Sequence, residues 1–205
     1  MIGYTCEAAT QAKLLNRVLV STDSEEILAV CEQYGVSAPF MRSPELAQDV
    51  TLIMDVLLDL LEVLKNSEDY TPEAIVLLQP TSPLRTAAHI DEALSMMVAE
   101  NADTVVSVVE VPHEYTPTSL MKIKMGNLVR YEGAQTVYRK QDKPKFYARN
   151  GSAILAIKTE SLCANQSFYQ GRSLPYIMPH PSSIDIDNHN DLKLCEFYLR
   201  ERENA

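Results

Sequence analysis

Two short stretches carry side chains whose types and spacing point to chemistry. The first is Gln79-Pro80-Thr81-Ser82-Pro83-Leu84-Arg85, which follows an unbroken apolar run over residues 75–78. A run without alternation fits a strand buried on both faces, as in the middle of a parallel sheet. The two prolines remove backbone donors and fix φ, so the segment after the strand is a stiff, non-helical loop. Gln79, Thr81, Ser82 and Arg85 are then polar groups held at the carboxyl end of a central strand, the edge where open α/β sheets bind ligands. The plainer reading is a rigid connection whose hydroxyls only cap the next helix. Two prolines framing four polar side chains favour a preorganised site.

The second stretch is Ile184-Asp185-Ile186-Asp187. In an extended segment both isoleucines face the core and both carboxylates point out of the other face. Neighbouring carboxylates repel unless a cation sits between them, and with phosphate oxygens completing the shell they suit Mg²⁺. A solvated edge, with Asp187 or Asn188 capping the last helix, remains open as well. Arg42 lies in a polar loop of both charge signs. Arg139, Lys140 and Arg149 gather near Asn150-Gly151, a turn where backbone can approach a ligand closely. Guanidinium groups suit carboxylates and phosphates. The four histidines have no nucleophile or second histidine at a useful spacing. Phe168 and Tyr169 either pack on a ligand or fill the core.

The rest of the chain must position these groups. Its 205 residues suit one domain with one good core. A net charge of −10 repels nucleic-acid backbone, so an anionic ligand has to be met by local cations or a divalent metal. No apolar run is long enough to span a membrane, and the start lacks a signal peptide's pattern. Four scattered cysteines, with no Cys-x-x-Cys pair, read as buried, reduced thiols in a cytoplasmic protein.

The pattern predicts helices over residues 2–15, 25–34, 51–65, 87–100, 159–164 and 191–200. Strands are expected over 17–21, 75–78, 104–111, 152–157 and 174–178, with a further extended segment over 36–41. Asp23 and Glu26 have capping-box spacing before the second helix. Alternating strands and helices imply βαβ units and a mostly parallel sheet. Between about 112 and 146 the texture changes to short polar segments, with a hairpin over 120–124 and 128–131, which reads as an inserted antiparallel arm.

Val20-Ser21-Thr22-Asp23, Pro39-Phe40 with Arg42, Pro44-Glu45-Leu46-Ala47 with Asp49, the 79–85 block, Asn150-Gly151 and Ser183-Ile184-Asp185-Ile186-Asp187 follow one another in an order that resembles the acylneuraminate cytidylyltransferases, or CMP-sialic acid synthetases. The resemblance covers essentially the whole chain, and the 79–85 block is its most specific part. It implies a Rossmann-like three-layer α/β sandwich, a single nucleotidyltransferase-type domain over residues 1–205, Mg²⁺, and a homodimer built through the inserted arm. It also implies a reaction in which the anomeric hydroxyl of a nonulosonic acid attacks the α-phosphate of CTP, releasing pyrophosphate.

By motif, Gln79, Thr81 and Ser82 would contact the sugar acid, with Asn150 beside them. Asp185 and Asp187 would hold the metal, Arg85 would join them as a catalytic group, and Arg42 and Asp185 would face the nucleotide. Phe168 and Tyr169 match aromatics that flank the sugar pocket. Lys140 aligns with an arginine near the sugar carboxylate, so either this lysine or Arg139 serves there. Family members open with a strand and a Gly- and basic-rich triphosphate loop, whereas Met1-Ile2-Gly3-Tyr4 matches the helix after it. The resemblance thus implies a gap in the sheet beside residues 18–20 and 75–78. Two other readings stand beside the enzyme: a noncatalytic dimeric protein that binds the sugar acid, and a related nucleotidyltransferase for another acidic sugar.

Overall fold

A computed structural model describes residues 1–131, 139 and 142–204. Helices α1 (Ile2–Gln11), α2 (Glu25–Glu32) and α3 (Ile53–Glu68) precede strand β1 (Ala74–Leu77), helix α4 (Ala87–Ala99) and strand β2 (Thr104–Glu110). A detached hairpin, β3 (Met121–Lys124) with β4 (Asn127–Arg130), comes next. The chain then returns through β5 (Tyr147–Arg149), β6 (Leu155–Lys158), α5 (Thr159–Asn165), β7 (Ser173–Ile177) and α6 (His189–Glu203).

Two helical layers cover the sheet. Ala8, Ala12, Ile90, Ala93, Leu94 and Met97 of α1 and α4 pack with Val105 and Ala156, and Val76 joins them from β1. On the other face Leu57 and Leu61 of α3 and Leu162 of α5 pack with Ile157 and Ile75. Successive residues of β1 and β6 therefore point into opposite layers, which explains an apolar run without alternation. The expected three layers are present.

The expected mostly parallel sheet is not. β6 pairs antiparallel with both β1 and β2, β5 pairs antiparallel with β2, and among the described residues only β7 pairs parallel to β2. The β1–α4–β2 crossover does give two strands of one direction, but the returning strand β6 occupies the slot between them. Alternation of elements fixes crossovers and says nothing of a later strand inserted between their ends. β1 is also not central: among the described residues its ladder is on one side only, and all four of its residues stay half-buried. The strands expected at 17–21 and 36–41 reduce to one isolated parallel bridge, Leu19 with Ser37.

Local signals set several helix ends. Ser24, rather than Asp23, caps α2 by accepting from the Ile27 amide. Thr86 and His89 form a capping box on α4, and Asn188 with Asp191 forms one on α6, so that helix starts two residues before the expected point. α3 ends where Asp69 turns left-handed at φ 51°. The end of α1 is tied to α4 by the Asp91 carboxylate, which accepts from the amides of Lys13 (3.1 Å) and Leu14 (2.9 Å). All four cysteines are free, and Cys163 is exposed, contrary to the expected burial. Burial pushes the Cys6 thiol up to about 12, which makes it an inert apolar group. Among the described residues no helix is long and apolar enough to cross a membrane.

Candidate active site

The site is built from three segments that the fold brings to one end of the sheet: residues 79–85 after β1, residues 150–154 between β5 and β6, and residues 183–187 before α6. The middle segment is a bulge. Arg149 pairs with Val108 and Leu155 with Val106, so residues 150–154 stand opposite Ser107 alone. Ser107 holds the bulge closed. Its amide donates to the Ile154 carbonyl (2.8 Å), and its Oγ accepts from the Ile154 amide (2.9 Å) while donating to Asn150 Oδ1 (2.7 Å). Asn150 Nδ2 then donates to Ser183 Oγ (3.1 Å) and lies 3.3 Å from Met178 Sδ. Asn150 is 3% exposed, so its amide is a buried bracket and not a surface contact.

The Pro loop is stitched to both other walls. Gln79 donates from its amide to the Ser152 carbonyl (3.0 Å), and its Oε1 accepts from the Ser152 amide (3.2 Å). That second bond fixes which end of the side-chain amide remains available: Nε2, a donor. The Ile186 amide donates to the Thr81 carbonyl (2.8 Å), which sets the acidic segment beside the Pro loop. Gly151, at φ +67°, lies so close to Asp185 that a Cβ on it would overlap the carboxylate. Asp185 therefore faces the bulge, half-buried, while Asp187 is exposed. Asn188 makes the helix cap, which leaves the Asp187 carboxylate free of that task.

Thr81 is half-buried, but Ser82 is fully buried and Arg85 is 3% exposed. The Arg85 guanidinium is spent on backbone: Nη1 donates to the carbonyls of Gln79 (3.2 Å) and Ala153 (2.8 Å). Burial pulls its pKa down to about 10, which still leaves a cation at neutral pH. Arg42 sits on another loop, where Nη2 donates to the Ser21 carbonyl (3.1 Å) and its amide to the Thr22 carbonyl (2.9 Å). Phe168 packs against the α3/α5 core. Tyr169 is exposed, and its hydroxyl accepts from Arg149 Nη1 (2.5 Å) beneath the same guanidinium. Arg139 is exposed and gives its carbonyl to the Asp142 amide. Lys140 lies outside the described residues.

Sequence reasoning missed Ser107 and Arg202. Ser107 sits in a β-branched strand where a serine reads as filler. Arg202, in the last turn of α6, reads as a solvated charge. Its Nη2 donates to the Leu84 carbonyl (2.5 Å) and to Ser182 Oγ (3.2 Å).

Seven side-chain polar atoms among the described residues are buried without a partner, and four belong to expected site residues: Asp185 Oδ1, Ser82 Oγ, Arg85 Nε and Arg42 Nε. A buried group left unpaired costs about 1–3 kcal/mol, more when charged. Three of the four, on Ser82, Arg85 and Asp185, lie in the walls of the site, while Arg42 is on its own loop. The Asp185 oxygen is the most telling, because a carboxylate pressed on a glycine with one orphaned oxygen fits a divalent cation. No cluster of three or more metal-ligating side chains exists among the described residues, so Asp185 and Asp187 supply at most part of a shell.

Fold and site together describe an α/β domain whose polar loop, bulge and acidic segment gather at one end of the sheet. The chain belongs to the cytidylyltransferase family: the sequence profile described as Cytidylyltransferase matches residues 1–202. It is 33% identical over its whole length to an N-acylneuraminate cytidylyltransferase of Streptococcus agalactiae serotype III (strain NEM316), and spans 49% of that relative. Thus the chain is about half as long as that relative. A CMP-N,N'-diacetyllegionaminic acid synthase of Legionella pneumophila is also 33% identical, over the whole chain and 87% of its own length. The fold is similar to a CMP:2-keto-3-deoxy-manno-octonic acid synthetase complexed with CTP, at TM-score 0.65 and 15% identity, covering 98% of this chain and 88% of that one.

Proposed function

We propose that this protein transfers the cytidylyl group of CTP to a nonulosonic acid. The anomeric hydroxyl gives up its proton as its oxygen bonds to the α-phosphorus, the bond from that phosphorus to the α,β-bridging oxygen breaks, and pyrophosphate leaves with the bridging oxygen. The observation that carries this reading is the orphaned Asp185 carboxylate, seated on Gly151 and tied by the Ile186–Thr81 bond to the Pro loop. The names of the relatives supply the substrate class.

Gln79 Nε2 and Thr81 Oγ1 orient the sugar acid, with Ser82 beneath them. Phe168 and Tyr169 border the sugar, Arg139 or Lys140 answers its carboxylate, and Arg42 faces the nucleotide. Asp185 and Asp187 hold Mg²⁺, which when bound neutralises phosphate charge that a chain of net charge −10 would otherwise repel. What the residues of this chain contribute is chiefly positioning and electrostatics. The hairpin β3–β4 exposes Met121, Ile123, Met125, Leu128 and Val129, and we assign it to a homodimer contact that sedimentation equilibrium would read directly. Four unpaired cysteines agree with a reducing, cytoplasmic setting.

The test is pyrophosphate release from CTP and Mg²⁺ with neuraminic, legionaminic and pseudaminic acids in turn. Asp185→Asn keeps shape but loses charge, and we expect it to lower turnover by about a hundredfold or more. Full turnover in that variant would remove Asp185 from the mechanism.

A further inference from the structure

We infer that Arg85 and Arg202 are positioning residues that bolt the two ends of the Pro loop to the other two walls of the site. The inference rests on the proposed function for what the loop holds, and on the structure for how it is held. Each arginine uses one guanidinium nitrogen to bridge two walls. Arg85 Nη1 joins the carbonyl of Gln79, at the loop's start, to that of Ala153 in the bulge. Arg202 Nη2 joins the carbonyl of Leu84, near the loop's end, to Ser182 Oγ beside the acidic segment.

The choice of residue is informative. Arg85 is buried at 3% exposure, and among the described residues no carboxylate pairs with it. A buried cation without a counter-ion is a costly way to stabilise a core, and an apolar side chain of the same volume would do that better. What a guanidinium adds is several donors in a fixed plane, able to reach carbonyls on two separate segments at once. Both arginines spend that ability on the loop's own backbone. Between the two pinned carbonyls lie Pro80, Thr81, Ser82 and Pro83, whose internal stiffness makes the pinned ends sufficient to place the middle.

The experiment compares wild type with Arg85→Met, Arg85→Lys and Arg202→Met by amide hydrogen exchange and by steady-state kinetics. Expected are at least about tenfold faster exchange at the Ser82, Ser152 and Ile186 amides of the Arg85 variants, unchanged exchange in β2, and kcat lowered by about 10- to 100-fold with KM for CTP within about twofold. Arg85→Lys should recover part of the loss, since an ammonium can still donate to these carbonyls. Unchanged loop exchange with unchanged kcat in Arg85→Met overturns the inference, as does a uniform loss of protection through β2. Should Arg85→Met not fold, Arg202→Met on the exposed end of α6 is read by the same criteria at Ser82 and Ile186. If wild type releases no pyrophosphate, the proposed function falls while loop exchange still decides the two bolts.

Discussion

The carboxylate of Asp185 packs directly on the backbone of Gly151, with Cγ only 2.7 Å from where a Cβ on that glycine would stand. Two segments more than thirty positions apart thus meet at a point with no room for a side chain. Gly151 is also at φ +67°, where L residues are strained. The close contact and the positive φ each call for glycine here.

Gly151→Ala should therefore act twice. The left-handed conformation costs about 1–2 kcal/mol, and displacement of the Asp185 carboxylate moves the group assigned to the metal. We expect a loss of unfolding free energy of that size, read from urea titration, and a loss of turnover of more than about tenfold. An alanine variant of wild-type activity would show that Asp185 can shift freely, which the crowding at this contact denies.

Asn150→Ala tests the bracket beneath the site. It takes from the Ser107 hydroxyl the acceptor of its proton, leaving it the Ile154 amide, and takes one donor from Ser183 Oγ, which still donates to the Pro179 carbonyl (2.9 Å). Destabilisation of about 1–3 kcal/mol in urea unfolding is expected, chiefly from the Ser107 hydroxyl. A cost under about 0.5 kcal/mol would mean that the bulge is held by the Ser107–Ile154 bonds alone.

Much of this was legible in the residues. The Pro loop, the acidic pair and the Asn150-Gly151 turn were visible because prolines, glycines and alternating carboxylates restrict backbone and charge locally. Sheet direction was not visible, since nothing in residues 155–158 says that they enter between β1 and β2. The direction of the Arg85 side chain was not visible either: its sequence position beside the loop is the same whether the side chain turns outward or inward to carbonyls. Arg202 lies 118 positions from the carbonyl it grips, beyond any local signal. Lys140 lies outside the described residues and was neither supported nor corrected.

His89 ties the stability of the fold to pH. It is the third residue of α4, and its Nδ1 accepts from the Thr86 amide (3.2 Å) to complete the cap that follows the Pro loop. Burial lowers its pKa below the ordinary 6.5, against Glu92, which pulls upward, and with Arg202 and Arg85, which push down. Tyr176 faces the same ring and gives its hydroxyl to Glu92. The unfolded chain thus binds this proton more readily than the native one. Stability from His89 is fully present above pH 6.5 and is lost as pH falls through 6.5 toward the lower native value. His89→Gln supplies a capping acceptor that does not titrate. We expect the variant to flatten the dependence of Tm on pH between about pH 5 and about pH 7 while matching wild type near pH 8. An equally steep acid limb in both proteins would assign the loss to other groups.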